Sequence, residues 1–288
     1  MAWRAASRAL DLGRRAVRYT LQYCDTKEIS RGRGLTNTID GRGRRGRSQT
    51  PAPDLAPIDL ASSEPAERQV YRSIRQALMQ GLVQPGATLT SRSLAQHLNV
   101  STQPVRDALK RLEADGILVG RPQSGFYLRE IGQAEFAELT EIRVRLEGLA
   151  GRCAAAHITA DKITELRGMN ALMATLPTAR EGLALNYRYH FAIYLCSGRP
   201  QLLSLIQNLW VRIGPALHHH PYTGRPETIT GIHDEMIAAL AAADGAAAEA
   251  AIRRDISEAA RLIMPQLPEP PEAAAQPLPP VGPEAIFG

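Results

Sequence analysis

The sequence lacks most of the features that mark extracellular, membrane-embedded or catalytic proteins. Its three cysteines are far apart and form no CxxC pair, which excludes a disulfide framework or a zinc finger. No apolar run approaches the eighteen or so residues that a membrane span requires. HExxH, GxSxG and a Cys/His nucleophile pair are absent. We therefore expect a cytoplasmic protein with reduced thiols that is neither an enzyme nor a membrane protein.

Aromatic residues are scarce at 5%, whereas alanine and leucine are abundant, and this composition favours helices over a β-sandwich. Charge is unevenly distributed along the chain. Residues 1–62 carry 12 Lys or Arg against 6 Asp or Glu, and residues 63–130 carry 9 against 6. Residues 131–288 carry 13 against 17. A basic front and an acidic back indicate a protein whose N-terminal half meets a polyanion, although a basic segment can also simply be solvated.

Composition and periodicity divide the chain into four parts. Residues 1–64 are predicted to be a disordered basic extension, with too few large apolar residues to bury a face. This extension has no apolar segment of the secretory type, and we favour a flexible tail or a misplaced start codon over an organelle transit peptide. Residues 65–130 and 131–264 are predicted to fold as two domains. Residues 265–288 are rich in proline and are predicted to be a disordered tail.

The first predicted domain combines three helices with a β-hairpin. The third helix spans about residues 102–115, and residues 117–119 and 126–128 are the candidate strands. Apolar stripes lie at Val70, Ile74 and Leu78 in the first helix and at Val105, Leu109 and Leu112 in the third. This order of elements is that of a winged helix-turn-helix, whose third helix lies in the major groove of DNA.

Polar side chains at the beginning of the third helix lie opposite its apolar stripe. Arg106 has the reach and shape to bind guanine, and Gln103 could read a base edge. Short hydroxyls beside a helix N-terminus suit phosphate contacts. Together with positions in the second helix and the wing, the predicted DNA-binding residues are Arg92, Ser101, Thr102, Gln103, Arg106, Arg121, Ser124 and Gly125. The alternative is that these residues are only the exposed side of an ordinary small helix.

Two runs in this domain resemble the GntR family of bacterial regulators. The run 81–89 (GLVQPGATL) is similar to the family's first turn, and the run 100–116 (VSTQPVRDALKRLEADG) is similar to its recognition helix. The resemblance implies operator contacts at the positions matching Arg92, Ser101, Gln103, Arg106 and Gly125. Other residue types are often found in the family at the position of Gln103, which leaves the base preference open.

After residue 130 the apolar pattern is purely helical. Phe136, Leu139, Ile142, Leu146 and Leu149 step by three and four, and five further stretches behave in the same way. No alternating Val/Ile-rich segment interrupts them. We predict an antiparallel bundle of six or seven helices. The expected fold class is therefore mostly α, with an N-terminal winged helix-turn-helix and a C-terminal all-α antiparallel helical bundle.

Residues 132–264 resemble the all-helical ligand-binding domain of the FadR-type branch, known as the FCD domain. The motifs are 141–148 (EIRVRLEG), 186–198 (NYRYHFAIYLCSG) and 233–244. The resemblance implies a small-molecule effector, with Arg143 anchoring its carboxylate. The plain alternative is an ion pair between Arg143 and Glu147, one turn apart on the helix.

The same resemblance implies a divalent metal in the bundle core. The matching positions are Asn186, His190, His233 and Asp255, where Asn186 replaces the usual Asp and Asp255 replaces the usual last His. One amide, two imidazoles and one carboxylate could bind Zn²⁺, Ni²⁺ or Mn²⁺, in a site completed by an organic acid. The alternative is that both histidines are ordinary buried side chains. His218–His220 are adjacent and point in three directions, so we expect them at the surface or at a helix end.

These expectations combine into a DNA-binding transcriptional regulator. It would bind double-stranded operator DNA of pseudo-palindromic sequence as a homodimer, as a repressor, and an organic acid would alter helix packing near residues 130–135. Two rivals remain open at this point. One is a metal-dependent enzyme acting on a small acid, and the other is an architectural DNA-binding protein that senses no ligand.

Overall fold

The N-terminal domain contains three helices and a three-stranded sheet, as seen in a computed structural model that describes residues 53, 55–176, 178–220 and 226–269. Its elements are α1 (Ala66–Met79), β1 (Thr88–Leu89), α2 (Ser91–Leu98), α3 (Thr102–Ala114), β2 (Leu118–Arg121) and β3 (Gly125–Leu128). The strand order is β1-β3-β2, and both pairs are antiparallel. The predicted helices and hairpin are present, and β1 is an additional strand.

Local sequence signals fix the turn between α2 and α3. The Thr90 side chain accepts a hydrogen bond from the Ser93 amide and caps α2. Asn99 ends α2 in the left-handed conformation, with φ of 53°. The predicted stripe of Val105, Leu109 and Leu112 is fully buried, so α3 presents its opposite side outward. The two helices thus form the expected helix-turn-helix.

The chain on either side of the two domains is more ordered than the sequence suggests. Leu55 is buried, and the Ser73 hydroxyl donates a 2.8 Å hydrogen bond to the carbonyl of Ala56. Residues 55–64 therefore pack on α1 and differ from the predicted disordered extension. Leu267 is also buried, although it lies in the predicted tail. Predictions for residues 1–52 and 270–288 lie outside the described residues.

The C-terminal domain contains six helices within the described residues. They are α4 (Gln133–Ala154), α5 (Ala160–Met173), α6 (Ala179–Leu195), α7 (Pro200–Leu217), α8 (Pro226–Ala241) and α9 (Gly245–Ile263), followed by a 3₁₀ turn at Met264–Gln266. Gly148 lies against Arg253, whereas Arg152 lies against Gly245, so α4 and α9 run antiparallel. The mostly α fold class is confirmed. Among the residues that the structure describes, no helix is long and apolar enough to cross a bilayer.

The two domains meet along α1 and α7. A Cβ added at Gly214 of α7 would lie 2.7 Å from the carbonyl oxygen of Leu78, so the glycine permits this close approach. Arg75 of α1 donates a 2.6 Å hydrogen bond to Asn208. At the C-terminal end of α7, His218 Nε2 lies 3.0 Å from the carbonyl oxygen of Val83. The N-terminal domain therefore contacts the bundle directly, in addition to being linked to it through the chain.

Candidate nucleic-acid interface and metal centre

The N-terminal end of α3 exposes a polar surface of the kind that DNA requires. Ser101 occupies the N-cap position without using its side chain as a cap, and Thr102 follows it at the first helical position. Arg106 is exposed and makes no ion pair within the part of the chain that the structure describes. Gln103 donates to the Asp107 carboxylate at 2.9 Å, so its amide is held on the helix surface. These predicted contact residues share one outward face.

Arg92 and the wing residues lie on the same domain. Arg92 is exposed on the first turn of α2. In the wing, the Arg121 guanidinium lies 4.5 Å from the ring centre of Tyr127. Gly125 has a structural reason to be glycine, because its φ is +93° and a Cβ would lie 2.9 Å from the Leu89 carbonyl oxygen. Ser124 is half-buried beside it. DNA contact by these residues remains a prediction.

Lys110 belongs to this surface but was not among the predicted contact residues. It is exposed, and it lies one turn after Arg106 on the same side of α3. Within the described residues it makes no ion pair. The repeat of positions 103, 106 and 110 along one helix face is the sequence signal that could have identified it.

In the bundle, three of the four predicted metal-binding residues come together. His190 of α6, His233 of α8 and Asp255 of α9 have ligand atoms that all lie within 4.8 Å of one another. His190 Nε2 lies 3.3 Å from Asp255 Oδ2, and His233 Nε2 lies 3.5 Å from Asp255 Oδ1. Both imidazoles are almost fully buried. The fourth predicted residue, Asn186, lies one turn before His190 and is half-buried.

A network around Glu147 sets the orientation of the His190 ring. Glu147 is fully buried and accepts from Arg143 Nε at 2.6 Å, from Trp210 Nε1 at 3.0 Å and from the Tyr194 hydroxyl at 2.7 Å. Because Tyr194 donates its single proton to Glu147, its oxygen can only accept from His190 Nδ1, which lies at 3.1 Å. His190 therefore carries a proton on Nδ1 and turns its Nε2 toward Asp255.

A second network sets the orientation of His233. The Asn170 amide nitrogen donates to the carbonyl of Thr230 at 3.0 Å and to Asp234 at 2.7 Å, which fixes which end of the amide is oxygen. That oxygen lies 3.2 Å from His233 Nδ1 and accepts its proton. The Tyr189 ring stacks on the His233 ring at 4.1 Å. The buried Nε2 of His233 makes no hydrogen bond and turns its lone pair toward Asp255.

The electrostatics of the cluster favour an ionised Asp255 and a neutral His233. Burial lowers the pKa of His233, which favours the neutral imidazole. Burial alone would raise the pKa of Asp255, but His190 and His233 outweigh that effect and hold it well below its ordinary value. Burial and the neighbouring Glu147 raise the pKa of Tyr194, so its hydroxyl keeps the proton that it donates. The cluster thus places an ionised carboxylate beside the neutral imidazole of His233.

This donor set fits a divalent cation. The lone pair of His233 Nε2 faces the Asp255 carboxylate, and the two repel unless a positive charge lies between them, so that this Nε2 would otherwise remain a buried acceptor without a donor. The N–O separations of 3.3 and 3.5 Å match the edge of a tetrahedron with metal–ligand bonds of 2.0–2.1 Å, roughly 3.4 Å. Imidazole and carboxylate suit Zn²⁺, Ni²⁺ and Mn²⁺.

Two other predictions have a definite place in the structure. Arg143 is buried in the ion pair with Glu147, the plain alternative considered above, and its guanidinium lies 5.0 Å from the Trp210 ring centre. His218–His220 follow the end of α7, as expected for a helix end. His220, however, is buried, and burial lowers its pKa to about 4. Adjacent positions at a helix end can therefore include one that faces the core.

Comparisons with known proteins agree with both domains. Residues 66–128 match the family of bacterial regulatory proteins called gntR, and residues 138–258 match the FCD domain. The HTH-type transcriptional regulator McbR of Escherichia coli (strain K12) is 34% identical over 157 residues, which cover 52% of this chain and 70% of McbR. The HTH-type transcriptional repressor RspR of the same strain is 28% identical over 212 residues, covering 71% and 92%.

Solved structures give the same result. The structure of E. coli McbR/YncC superimposes with a TM-score of 0.62 at 28% identity, covering 69% of this chain and 97% of that one. A GntR regulator from Rhodococcus sp. RHA1 shares the fold, with a TM-score of 0.58 at 20% identity, covering 70% and 99%. With a helix-turn-helix that exposes a polar recognition surface and a bundle that gathers two histidines and an aspartate, the chain belongs to the GntR family of transcriptional regulators and carries an FCD domain.

Proposed function

We propose that this regulator binds a pseudo-palindromic operator as a homodimer and responds to a small organic acid bound at a divalent metal. The observation that carries the sensing part is the pair of buried Nε2 atoms, on His190 and His233, that face Asp255 with their ligand atoms within 4.8 Å of one another. Two separate hydrogen-bond networks give each Nδ1 an acceptor and so leave both Nε2 atoms available as metal ligands. We further propose that the protein acts in the cytoplasm.

Arg106 and Gln103 are proposed to read bases in the major groove. Arg92, Ser101 and Thr102 would hold phosphates, because an arginine, two hydroxyls and the free amides at a helix N-terminus all favour an anion. Arg121, Ser124 and Gly125 would place the wing beside the adjacent minor groove. One recognition helix per half-site, about one helical turn apart, then requires two copies of the chain.

In the bundle, His190, His233 and Asp255 would hold the metal, and Asn186 is the proposed fourth ligand. The metal would supply a positive charge that binds an effector carboxylate. Glu147, through Tyr194, keeps the His190 proton on Nδ1, and Asn170 does the same for His233. Arg143 holds Glu147 in place, so an effector carboxylate that binds Arg143 directly must displace that ion pair.

The effector signal is proposed to reach the DNA-binding domain through α7. Trp210 of α7 lies 5.8 Å from the His190 ring centre and hydrogen-bonds to Glu147. One turn later Gly214 packs on Leu78 of α1, and His218 contacts Val83 in the following turn. A small movement of α7 at the metal centre would therefore move α1. A coupling of about 1–3 kcal/mol is enough to change operator occupancy.

Repression is the proposed direction of control. RspR, which aligns over most of its length, is named as a transcriptional repressor. A repressor released by its ligand requires the effector-bound form to hold the two DNA-binding domains in a geometry that no longer fits both half-sites.

The DNA-binding part is tested by selecting an operator from genomic fragments and measuring its affinity by gel shift. We expect Arg106→Ala to lower the affinity for the operator about 10- to 100-fold while leaving binding to unrelated DNA nearly unchanged. Arg145→Ala removes an exposed arginine from α4 and serves as the matched control. Equal loss on operator and unrelated DNA would contradict base reading by Arg106.

The sensing part is tested by metal analysis and a thermal-shift screen of organic acids. We expect His190→Ala to lose the bound metal and the response to acids while keeping operator affinity. His157→Ala, at an exposed histidine on the same domain, should change neither. Equal metal content in wild type and His190→Ala would refute the metal site, and turnover of an acid by the purified protein would favour an enzyme instead.

A further inference from the structure

We infer that Asp107 fixes the hydrogen-bonding direction of Gln103, so that Gln103 offers DNA an acceptor and selects a base that carries an amino group. The inference rests on the proposed function, in which Gln103 reads a base in the major groove, and it names the base chemistry that is read. Gln103 Nε2 lies 2.9 Å from Asp107 Oδ1 and 3.1 Å from Asp107 Oδ2. Both residues are exposed and lie one turn apart on α3.

The carboxylate determines which end of the glutamine amide faces it. A carboxylate accepts hydrogen bonds and donates none, so the end of Gln103 that touches Asp107 must be the nitrogen. The oxygen Oε1 is then turned away from Asp107, and among the described residues it accepts no hydrogen bond. A glutamine without such a neighbour can rotate its amide and offer either end to a base. With Asp107 in place, Gln103 presents its acceptor.

Asp107 is available to Gln103 because the arginine one turn later is engaged elsewhere. Arg111 lies four residues after Asp107, a spacing at which an ion pair would stabilise the helix. Instead, Arg111 Nη1 lies 3.6 Å from Glu67 Oε1, and the guanidinium lies 4.1 Å from the ring centre of Tyr71. Within the part of the chain that the structure describes, Asp107 therefore makes its side-chain hydrogen bonds to Gln103.

Two bases present a partner that fits this surface. In the major groove, cytosine offers its N4 amino group and adenine its N6 amino group, whereas guanine and thymine offer acceptors. The Gln103 oxygen and the Asp107 carboxylate both repel an acceptor, so guanine and thymine are disfavoured. The usual double contact of glutamine with adenine N6 and N7 also needs an Nε2 donor, for which Asp107 competes. The pair therefore selects a base amino group, either cytosine N4 or adenine N6.

Positive charges beside Asp107 keep this face attractive to DNA. Arg106 and Lys110 flank Asp107 on the exposed side of α3, and neither makes an ion pair within the described ranges. The surface therefore keeps a net positive charge toward the phosphates although it carries a carboxylate. The charge of the carboxylate weakens binding to every sequence alike, whereas its effect through Gln103 depends on the base. Asp107 thus acts as a positioning residue for specificity.

The experiment compares all four bases at each position of the selected operator half-site by gel shift. Wild type should bind cytosine or adenine about tenfold more tightly than guanine or thymine at one position, and the order of the first two identifies the amino group. Asp107→Asn, which is isosteric, should reduce this preference to about twofold, because an asparagine amide can pair with either end of Gln103. Asp161→Asn, at an exposed aspartate on α5, is the matched control and should keep it.

A second comparison separates positioning by Asp107 from direct contact with the base. In a Gln103→Ala background, Asp107→Asn should leave the base preference unchanged, because no amide remains to be oriented. An effect of equal size with and without Gln103 would overturn the inference. It would also be overturned by a preference that survives Asp107→Asn, by a preference for guanine or thymine at the position that depends on Gln103, or by Gln103→Ala altering no position. A protein that selects no operator would instead overturn the base reading of the proposed function.

Discussion

At the scale of single residues, Glu147 organises the bundle core. Its carboxylate is fully buried and accepts hydrogen bonds from three side chains on three different helices, Arg143, Tyr194 and Trp210. An ionised carboxylate can only accept, so each of these donors has a fixed direction. The consequence reaches His190 through Tyr194, and this is how a residue outside the metal centre sets the protonation pattern within it.

Replacing Tyr194 by Phe should weaken metal binding without removing a ligand. The variant loses the oxygen that accepts the proton of His190 Nδ1, so the imidazole is free to place that proton on Nε2 instead. We expect metal affinity to fall about 10- to 100-fold, the usual effect of removing a partner of a metal-bound histidine. Isothermal titration with Zn²⁺ measures the change.

The control for this variant is Tyr71→Phe in the DNA-binding domain. Tyr71 also donates a short hydrogen bond to a carboxylate, at 2.6 Å to Asp115, and it lies outside the bundle. It should lose stability but keep wild-type metal affinity. If Tyr194→Phe binds Zn²⁺ as tightly as Tyr71→Phe does, Glu147 has no part in preparing the site.

Whether a contact between two residues could be predicted depended on how far apart they lie in the sequence. The clustering of His190 on α6 with His233 on α8 could be predicted from the resemblance, because each lies in a short motif. Of the partners of Glu147, Arg143 one turn away was foreseen, whereas Tyr194 and Trp210 were not, since they lie 47 and 63 residues away. His218–His220 were expected at the surface or at a helix end, and they follow the end of α7. His220 is nevertheless buried, because this helix end packs against the domain core.

At the scale of elements, the crossing of α7 over α1 is the feature with the clearest physical basis. Gly214 has no side chain where Leu78 approaches, and the next residue is Pro215, which has no amide hydrogen to donate within the helix. The glycine lets the two helices come closer than side chains would allow.

Gly214→Ala should weaken the effect of the metal on operator affinity more than it weakens metal binding itself. The added Cβ would lie 2.7 Å from a backbone oxygen, so α7 must move away from α1, at a cost of about 1–3 kcal/mol in stability. We expect unchanged metal content and a reduced difference in operator affinity between the metal-free and metal-loaded protein. Gel shifts with and without Zn²⁺ measure that difference.

Gly168→Ala in α5 provides the control. A Cβ at this position meets nothing within 4 Å, so the substitution should be neutral or stabilise the helix by up to about 1 kcal/mol. A Gly214→Ala protein with the stability and the metal response of Gly168→Ala would show that the contact carries no signal.

Whether a helix or strand could be predicted depended on how many times its apolar pattern repeats in the sequence. Long helices such as α3 were predicted to within about a residue, because their apolar stripes repeat over several turns. The strand β1 was missed, since it has only two residues and exists through its pairing with β3, nearly forty residues later. Residues 55–64 were also misjudged, because Leu55 and Ile58 pack on the core and Ser73 and Gln69 of α1 bond to this segment without any repeating sequence pattern.

At the scale of the whole molecule, the basic front and acidic back separate the two tasks of the chain. Residues 63–130, which include the entire winged helix-turn-helix, carry a net positive charge, whereas residues 131–288 carry a net negative one. DNA attracts the first part and repels the second, so the molecule approaches a duplex in one orientation. This asymmetry was visible in the sequence, but the α1–α7 contact that joins the two parts was not.

Arg92→Gln should reduce the salt dependence of DNA binding. Each lost phosphate contact lowers the slope of log K against log salt by about 0.9, so a dimer should lose about 1.8. Operator preference over unrelated DNA should be largely unchanged, in contrast to Arg106→Ala. Fluorescence anisotropy at several salt concentrations measures the slope, and an unaltered slope would remove Arg92 from the phosphate contacts.

The glycine at position 214 also limits how freely this protein can be recombined with its relatives. The C-terminal end of α1 packs against α7 at Gly214. A side chain at this position would collide with the carbonyl oxygen of Leu78. A chimera that joins residues 55–130 to the effector domain of another regulator would need a small residue and a similar helix crossing at that point. Exchange of effector domains should therefore succeed only between proteins whose α7 has a small residue at the matching position. The residue at this one position is a practical criterion for choosing which effector domain to use.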